Sequence, residues 1–114
     1  MKTKSAVTAL AALAQETRLE LFRLLVQAGE AGLSVGKIAE SLNTKPNGRL
    51  TFHLKGLVGA GLVNAMPDGR FIYYSANYPA MNELLAFLTE SCCGGASCGE
   101  TFAPCDPKQQ KPAI

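Results

Sequence analysis

Two stretches of helical apolar spacing stand almost back to back in the middle of this chain of 114 residues. Val35, Ile38, Ala39 and Leu42 recur at i, i+3, i+4 and i+7 behind Ser34 as N-cap, and Asn43 closes that short helix. Asn43, Thr44 and Lys45 then lead to Pro46, which suits the first turn of a helix because its nitrogen carries no proton to leave unpaired there. Leu50, Leu54, Leu57 and Val58 continue at helical spacing, and Gly61 is placed to cap the end in the left-handed region. Two amphipathic helices joined by so short a connection must pack on one another, which is the arrangement of a helix-turn-helix.

Beyond Gly61 the period changes. Residues 62–66 and 71–75 read as short strands, and Pro67-Asp68-Gly69-Arg70 between them carries the Asp-Gly signal of a tight hairpin, so a two-stranded wing is expected. From about Pro79 the helical period returns, with Met81, Leu84, Leu85, Leu88 and Cys92 on one stripe. Upstream, residues 16–26 form a helix with a wide apolar face: Leu21, Leu24 and Leu25 on one stripe, Leu19, Phe22 and Val26 on the next, ended by Gly29 and Gly32.

Lys2 and Lys4 before the apolar residues 6–14 imitate a secretory leader. The segment is read as a helix instead, because Leu10, Leu13 and Thr17 share a face and the run is short, alanine-rich and interrupted by Thr8. No apolar run approaches the roughly 20 residues of a membrane span, so a cytoplasmic protein with reduced thiols is expected. The fold class is therefore α+β, mainly α: a winged helix-turn-helix with about five helices. Residues 1–92 form the domain and residues 93–114, with Gly94-Gly95 and three prolines, form a flexible cysteine-containing tail. A domain this small gains core by pairing with a copy of itself, so a homodimer is expected.

The net charge of +2 is too small to identify a partner, but its distribution is informative. Residues 1–33, 34–70 and 71–114 carry net charges of +1, +3 and −2, so the basic excess lies on the helix-turn-helix and wing, where it can meet phosphate. Turning the second helix by the helical 100° per residue sets Gly48, Arg49, Phe52, Lys55, Gly56 and Gly59 opposite the buried stripe, with Thr51 and His53 on its flanks. A small, basic face lets the backbone approach a major groove while cations reach base edges or phosphates. The candidate DNA-binding set is Lys45, Asn47, Arg49, Thr51, Phe52, His53, Lys55 and, at the wing tip, Arg70. Phe52 would meet a thymine methyl or else pack on the wing or a neighbouring loop. His53 is the only histidine, and it reads as a flank residue serving phosphate or the fold, since no second histidine or acid completes a metal site.

All four cysteines, Cys92, Cys93, Cys98 and Cys105, fall within fourteen residues of an otherwise cysteine-free chain. Clustered thiolates select soft, thiophilic ions. Adjacent Cys92 and Cys93 are poorly placed to bond each other, and Gly94-Gly95 can fold the chain back to bring Cys98 in. Three converging sulfurs suit trivalent arsenic or antimony, four suit zinc or cadmium. The absence of paired C-x2-C knuckles favours the trigonal set without deciding it. A packing role, with Cys92 extending the apolar stripe, is the bland alternative, and a thiol redox switch joining Cys93 to Cys98 or Cys105 is another. An enzyme is not expected, because no histidine or acid stands as a base beside the thiols and no phosphate-cradling glycine motif occurs.

The phrases Glu16-Thr17-Arg18-Leu19-Glu20-Leu21-Phe22-Arg23-Leu24-Leu25, Thr51-Phe52-His53-Leu54-Lys55 and Ala60-Gly61-Leu62-Val63, in this order of helices and wing, resemble the arsenical-resistance operon repressor family, the ArsR/SmtB group. The resemblance runs from about residue 9 to residue 92. It implies an elongated homodimer joined through the first and last helices, bound to operator double-stranded DNA until an inducer arrives, with no required cofactor. The Cys-Val-Cys signature of the best known arsenic sensors is missing, since residues 34–42 contain no cysteine. The zinc site of the last helix is missing too, for only Asn82 and Glu83 stand near its place. The Cys-Cys pair followed by a further cysteine resembles variant arsenite sensors with C-terminal thiols. That implies As(III) or Sb(III) on Cys92, Cys93 and Cys98, with Cys105 a spare ligand and a monomethylated arsenical, which needs only two sulfurs, as another inducer.

Overall fold

The chain, described over residues 1–95 by a computed structural model, runs α1 Thr3–Leu13, α2 Glu16–Ala28, β1 Leu33–Ser34, α3 Val35–Ser41, α4 Gly48–Gly59, β2 Val63–Asp68, β3 Phe71–Ala76 and α5 Tyr78–Leu88, then a 3-10 turn at Cys92–Gly95. Five α-helices and a hairpin wing are what the periodicity implies, and the fold is a winged helix-turn-helix. Cys98 and Cys105 lie outside the described residues.

The helix-turn-helix is held by its end groups. Ser34 Oγ accepts from the backbone N–H of Lys37 at 3.3 Å and starts α3. At its end the N–H groups of Asn43 and Thr44 return to the carbonyls of Glu40 and Ala39 at 3.2 and 2.9 Å, with Asn43 at φ 56°. α4 closes the same way. Gly61 and Leu62 donate to Val58 and Leu57 at 2.9 and 3.1 Å, and Gly61 takes φ 82°, where a side chain would crowd the backbone. Leu57 and Leu62, the two ends of this motif, are both fully buried, so the cap and the core are one contact region.

The start of α4 corrects the sequence reading. Asn47, not Pro46, begins it: Asn47 Oδ1 accepts from Leu50 N–H at 3.2 Å, and Pro46 stands one residue outside. An asparagine side chain satisfies one of the orphan N–H groups that a proline would merely reduce by one. Leu50, Leu54 and Leu57 then face inward, sharing one buried core with Leu21 and Leu25 of α2, Ile38 and Ala39 of α3, and Tyr74 and Ala76 of β3.

The two-stranded wing is present as expected and gains a short third strand, while the place of its turn, the buried face of α1 and the burial of Leu19 differ from expectation. The sheet has three strands in the order β1-β3-β2, because Leu33 and Ser34 pair with Tyr74 and Tyr73. Two residues just before a helix are too few to show alternation, so this strand left no pattern to read. Within the wing Asp68 pairs with Phe71, which leaves Gly69 and Arg70 as the turn, one residue later than the Asp-Gly signal suggests. Pro67 can sit inside β2 because β2 is an edge strand. In α1 the buried face is Ala6, Ala9 and Ala12, while Leu10 is 42% exposed. The helix breaks at Ala14 and Gln15, so Leu10, Leu13 and Thr17 do not share one continuous face; three alanines allow the close approach to α2 and α4 that leucines would obstruct. Leu19 of α2, placed on a buried stripe by its spacing, is likewise exposed.

α5 is tied to the DNA-reading half at its start. Asn77 caps α5 by accepting from Ala80 N–H at 3.2 Å, and its Nδ2 donates to the carbonyl of Gly61 at 2.9 Å. Tyr78 Oη donates to the carbonyl of Val26 at 2.8 Å, joining α5 to the end of α2. Only Leu84 of α5 is fully buried, and the helix ends at Leu88. Cys92 is therefore not on its apolar stripe. Thr89 Oγ1 turns back to the Leu85 carbonyl at 2.8 Å and competes with continuation of the helix. No helix among the described residues is long and apolar enough to cross a membrane.

Candidate nucleic-acid interface and cysteine turn

α4 presents the basic face that its sequence implies. Arg49, Phe52 and Lys55 are exposed, and Thr51 and His53 lie half-buried beside them. Lys45 and Asn47 are exposed in the turn that leads in, and Arg70 is exposed at the hairpin tip. Asn47 already uses its Oδ1 as the helix cap, so only its amide N–H2 remains to meet DNA. Among the described residues the one ion pair is Lys37 with Glu40 at 3.6 Å on α3, which leaves the cations of α4 and of the wing without an acidic partner.

Two residues of α4 behave differently from expectation. Gly56, placed on the open face by its spacing, is covered: a Cβ there would lie 2.6 Å from Cζ of Arg18, whose guanidinium rests on this glycine. Phe52 is 64% exposed and does not pack on the wing. Its ring lies 5.5 Å from Cζ of Arg18 and meets His53 edge-on at 5.8 Å. His53 serves the fold as an acceptor, taking a hydrogen bond on Nδ1 from Nε of Arg18 at 3.1 Å. Partial burial, and then the nearby positive charges of Arg18 and Arg49, hold its pKa below the ordinary 6.5. With Nδ1 accepting, the ring proton sits on Nε2.

Arg18 is the residue of this interface that the sequence reading missed. The signal that points to it is a violation: it stands in the first turn of α2, where the helix dipole disfavours a cation. A side chain tolerated there has a partner elsewhere, and the partner is α4.

The cysteine turn is built differently. Cys92 and Cys93 are both exposed, and their Sγ atoms lie 3.6 Å apart. Ser91, Cys93 and Gly94 have φ values of 55°, 57° and 66°. Left-handed backbone at two non-glycine residues costs about 1–2 kcal/mol each, and it folds the chain sharply back after α5. Among the described residues no group of three or more His, Cys, Asp or Glu is placed to hold a metal. Only two of the four thiols lie in that range.

A helix-turn-helix with a basic, capped second helix and an arginine-tipped wing defines a DNA-binding protein, and the model of a family described as a helix-turn-helix domain matches residues 13–64. Solved structures narrow this further. An ArsR-like transcriptional regulator from Rhodococcus sp. RHA1 is 30% identical with a TM-score of 0.64, covering 75% of this chain and 76% of that one. HlyU from Vibrio cholerae N16961 is 33% identical with a TM-score of 0.59 over 77% of this chain and 97% of its own. The AntR antimony-specific transcriptional repressor is 28% identical with a TM-score of 0.58 over 72% of each. No curated protein sequence matches. The chain belongs to the ArsR-like transcriptional regulators. Its family is one of DNA-binding regulators and not of enzymes.

Proposed function

We propose that the chain is a homodimeric repressor that grips operator DNA with α4 and the wing, and lets go when trivalent arsenic or antimony is captured by Cys92, Cys93 and Cys98. The observation that carries the reading is the 3.6 Å between the Sγ atoms of Cys92 and Cys93. Two thiolates held by one ion at about 2.3 Å, at angles between a right angle and the tetrahedral value, stand roughly 3.3–3.8 Å apart. The pair thus needs little rearrangement to bond a single soft ion, and a third sulfur from Cys98 would complete a trigonal set. One protein that the chain resembles, AntR, is an antimony-specific repressor, which supports the same chemistry.

A homodimer is supported by apolar surface that the single chain leaves uncovered. Leu13, Leu19, Val26, Met81 and Leu85 line a groove of about 270 Å³ between α2 and α5, floored by buried Phe22, with Leu10 and Leu88 exposed on α1 and α5. Capture of the ion at the end of α5 would shift this interface and spoil the match of two α4 helices to half-sites about 34–36 Å apart. A hundredfold derepression needs only about 2.7 kcal/mol of differential binding. In a mobility-shift titration, arsenite or antimonite should release the wild-type protein and fail to release Cys92→Ser/Cys93→Ser; equal release of both would reject the site. Release by zinc or cadmium alone, or by peroxide in the absence of metal, would assign the switch to tetrahedral or redox chemistry instead.

A further inference from the structure

Three contacts converge on the guanidinium of Arg18. Its Nε donates to His53 Nδ1 at 3.1 Å, its Cζ lies 5.5 Å from the centre of the Phe52 ring, and it occupies the space above Gly56 that any Cβ would fill. Residues 52, 53 and 56 are neighbours on one surface of α4, at i, i+1 and i+4. The backbone of Arg18 is itself pinned, since Gln15 Oε1 accepts from its N–H at 2.9 Å. A planar cation from α2 is thus seated on a glycine, laid against an aromatic ring and bonded to the chain's only histidine.

We propose that Arg18 is a positioning residue for DNA recognition, fixing the ring orientation and tautomer of His53 and bracing Phe52, so that α4 offers the duplex one N–H donor from His53 Nε2. An imidazole free to exchange tautomers presents either a donor or an acceptor to a base edge and discriminates poorly. With Nδ1 committed to Arg18, the N–H lies on Nε2, and turned to the duplex it would donate to a purine N7, guanine O6 or thymine O4 and reject the amino groups of cytosine and adenine. Arg18 contributes to sequence choice without touching a base. The proposal rests on DNA binding and not on the identity of the inducer.

Acidification gives the arrangement a sign. Protonated His53 carries hydrogen on Nδ1, which cannot accept from Arg18. The charges acting on the ring are Arg18 from α2 and Arg49 from α4; Glu20 of α2 lines the same cleft, to which the α3–α4 turn contributes only neutral Thr44 and Asn47. The bond to Arg18 is complete above 6.5 and is lost as pH falls through the lower value His53 has in the fold. A histidine acting only by charge would behave in the opposite sense, since protonation adds a cation and tightens all DNA binding.

The test uses the full chain, a duplex that it selects from a randomised library, and a scrambled duplex of the same composition, at one salt concentration. Arg18→Ala and Gly56→Ala should lower the ratio of specific to non-specific affinity by roughly tenfold. Arg18→Gln should restore most of it, because the amide nitrogen of glutamine stands where arginine has Nε. Imidazole nitrogen NMR of the single histidine should show one tautomer in the wild type and in Arg18→Gln, and a mixture in the other two. The wild-type ratio should hold level above about pH 6.5, fall as the pH is lowered beneath that value, and stay flat throughout in Arg18→Ala. A ratio unchanged within about twofold in both Arg18→Ala and Gly56→Ala overturns the proposal, and so does equal weakening on both duplexes, which would make Arg18 a phosphate contact. If Arg18→Ala does not fold, Gly56→Ala decides, since it displaces the guanidinium without removing it and improves helix propensity. A wild-type chain that selects no duplex would refute DNA reading itself, a different outcome from selection without dependence on Arg18.

Discussion

α4 and the cysteine turn are the two exposed elements on which the proposed function rests, but they are attached to the protein in opposite ways. α4 is capped at both ends, buries Leu50, Leu54 and Leu57, and carries Arg18 of a neighbouring helix on its outer surface. The cysteine turn buries nothing between Thr89 and Gly94 and holds left-handed backbone at Ser91 and Cys93. An element welded to the core presents the same face in every molecule, which is what reading a groove requires. An element outside the core can change shape without unfolding anything, so under the proposed function the free energy of binding an ion there would be available to move α5 and would not oppose the stability of the domain. Asn77, bonded to Gly61 at the end of α4 and capping α5, ties α4 to the start of the helix whose far end leads to the cysteine turn.

Substitutions separate the regions by the size of their effect on unfolding. Leu57→Ala should cost about 3 kcal/mol in urea denaturation, through lost burial and the cavity left under the cap of α4; a cost below about 1 kcal/mol would mean that α4 is not part of the core. Asn47→Ala should cost about 1 kcal/mol by freeing the Leu50 N–H, and it should weaken operator binding with it, as anisotropy would show. Cys92→Ser/Cys93→Ser should leave stability within about 0.5 kcal/mol of wild type while abolishing the response to arsenite. A larger loss in the last case would place the cysteines in the fold and erase the contrast.

How far each element was legible follows from how local its causes are. The two helices of the helix-turn-helix, their glycine and asparagine ends and the basic face of α4 depend on spacing within a dozen residues, and the structure reproduces them with a shift of two residues at Pro46. The wing was legible for the same reason, down to one residue in its turn. The alanine face of α1 was not, because preferring Leu10 to Ala6 and Ala9 assumes that the larger side chain is buried, and here close approach decides. Gly56 was misplaced and Arg18 missed for a shared reason: each is explained by the other, across 38 positions of sequence. The cysteine cluster was visible as composition, yet the end of α5 before Cys92 was not, since Thr89, Ser91 and Cys93 carry no strong stop signal.

Order of elements, the N-cap of α3, the glycine end of α4, the basic face and the clustering of the four cysteines were determined by the sequence alone, because each arises from residues within a few turns of each other. Which apolar residues are covered, the third strand, the approach of Cys92 and Cys93 sulfurs and the seating of Arg18 on α4 were decided only by tertiary structure. These depend on how closely two backbones approach, and a distance between elements is not encoded by the spacing within either of them.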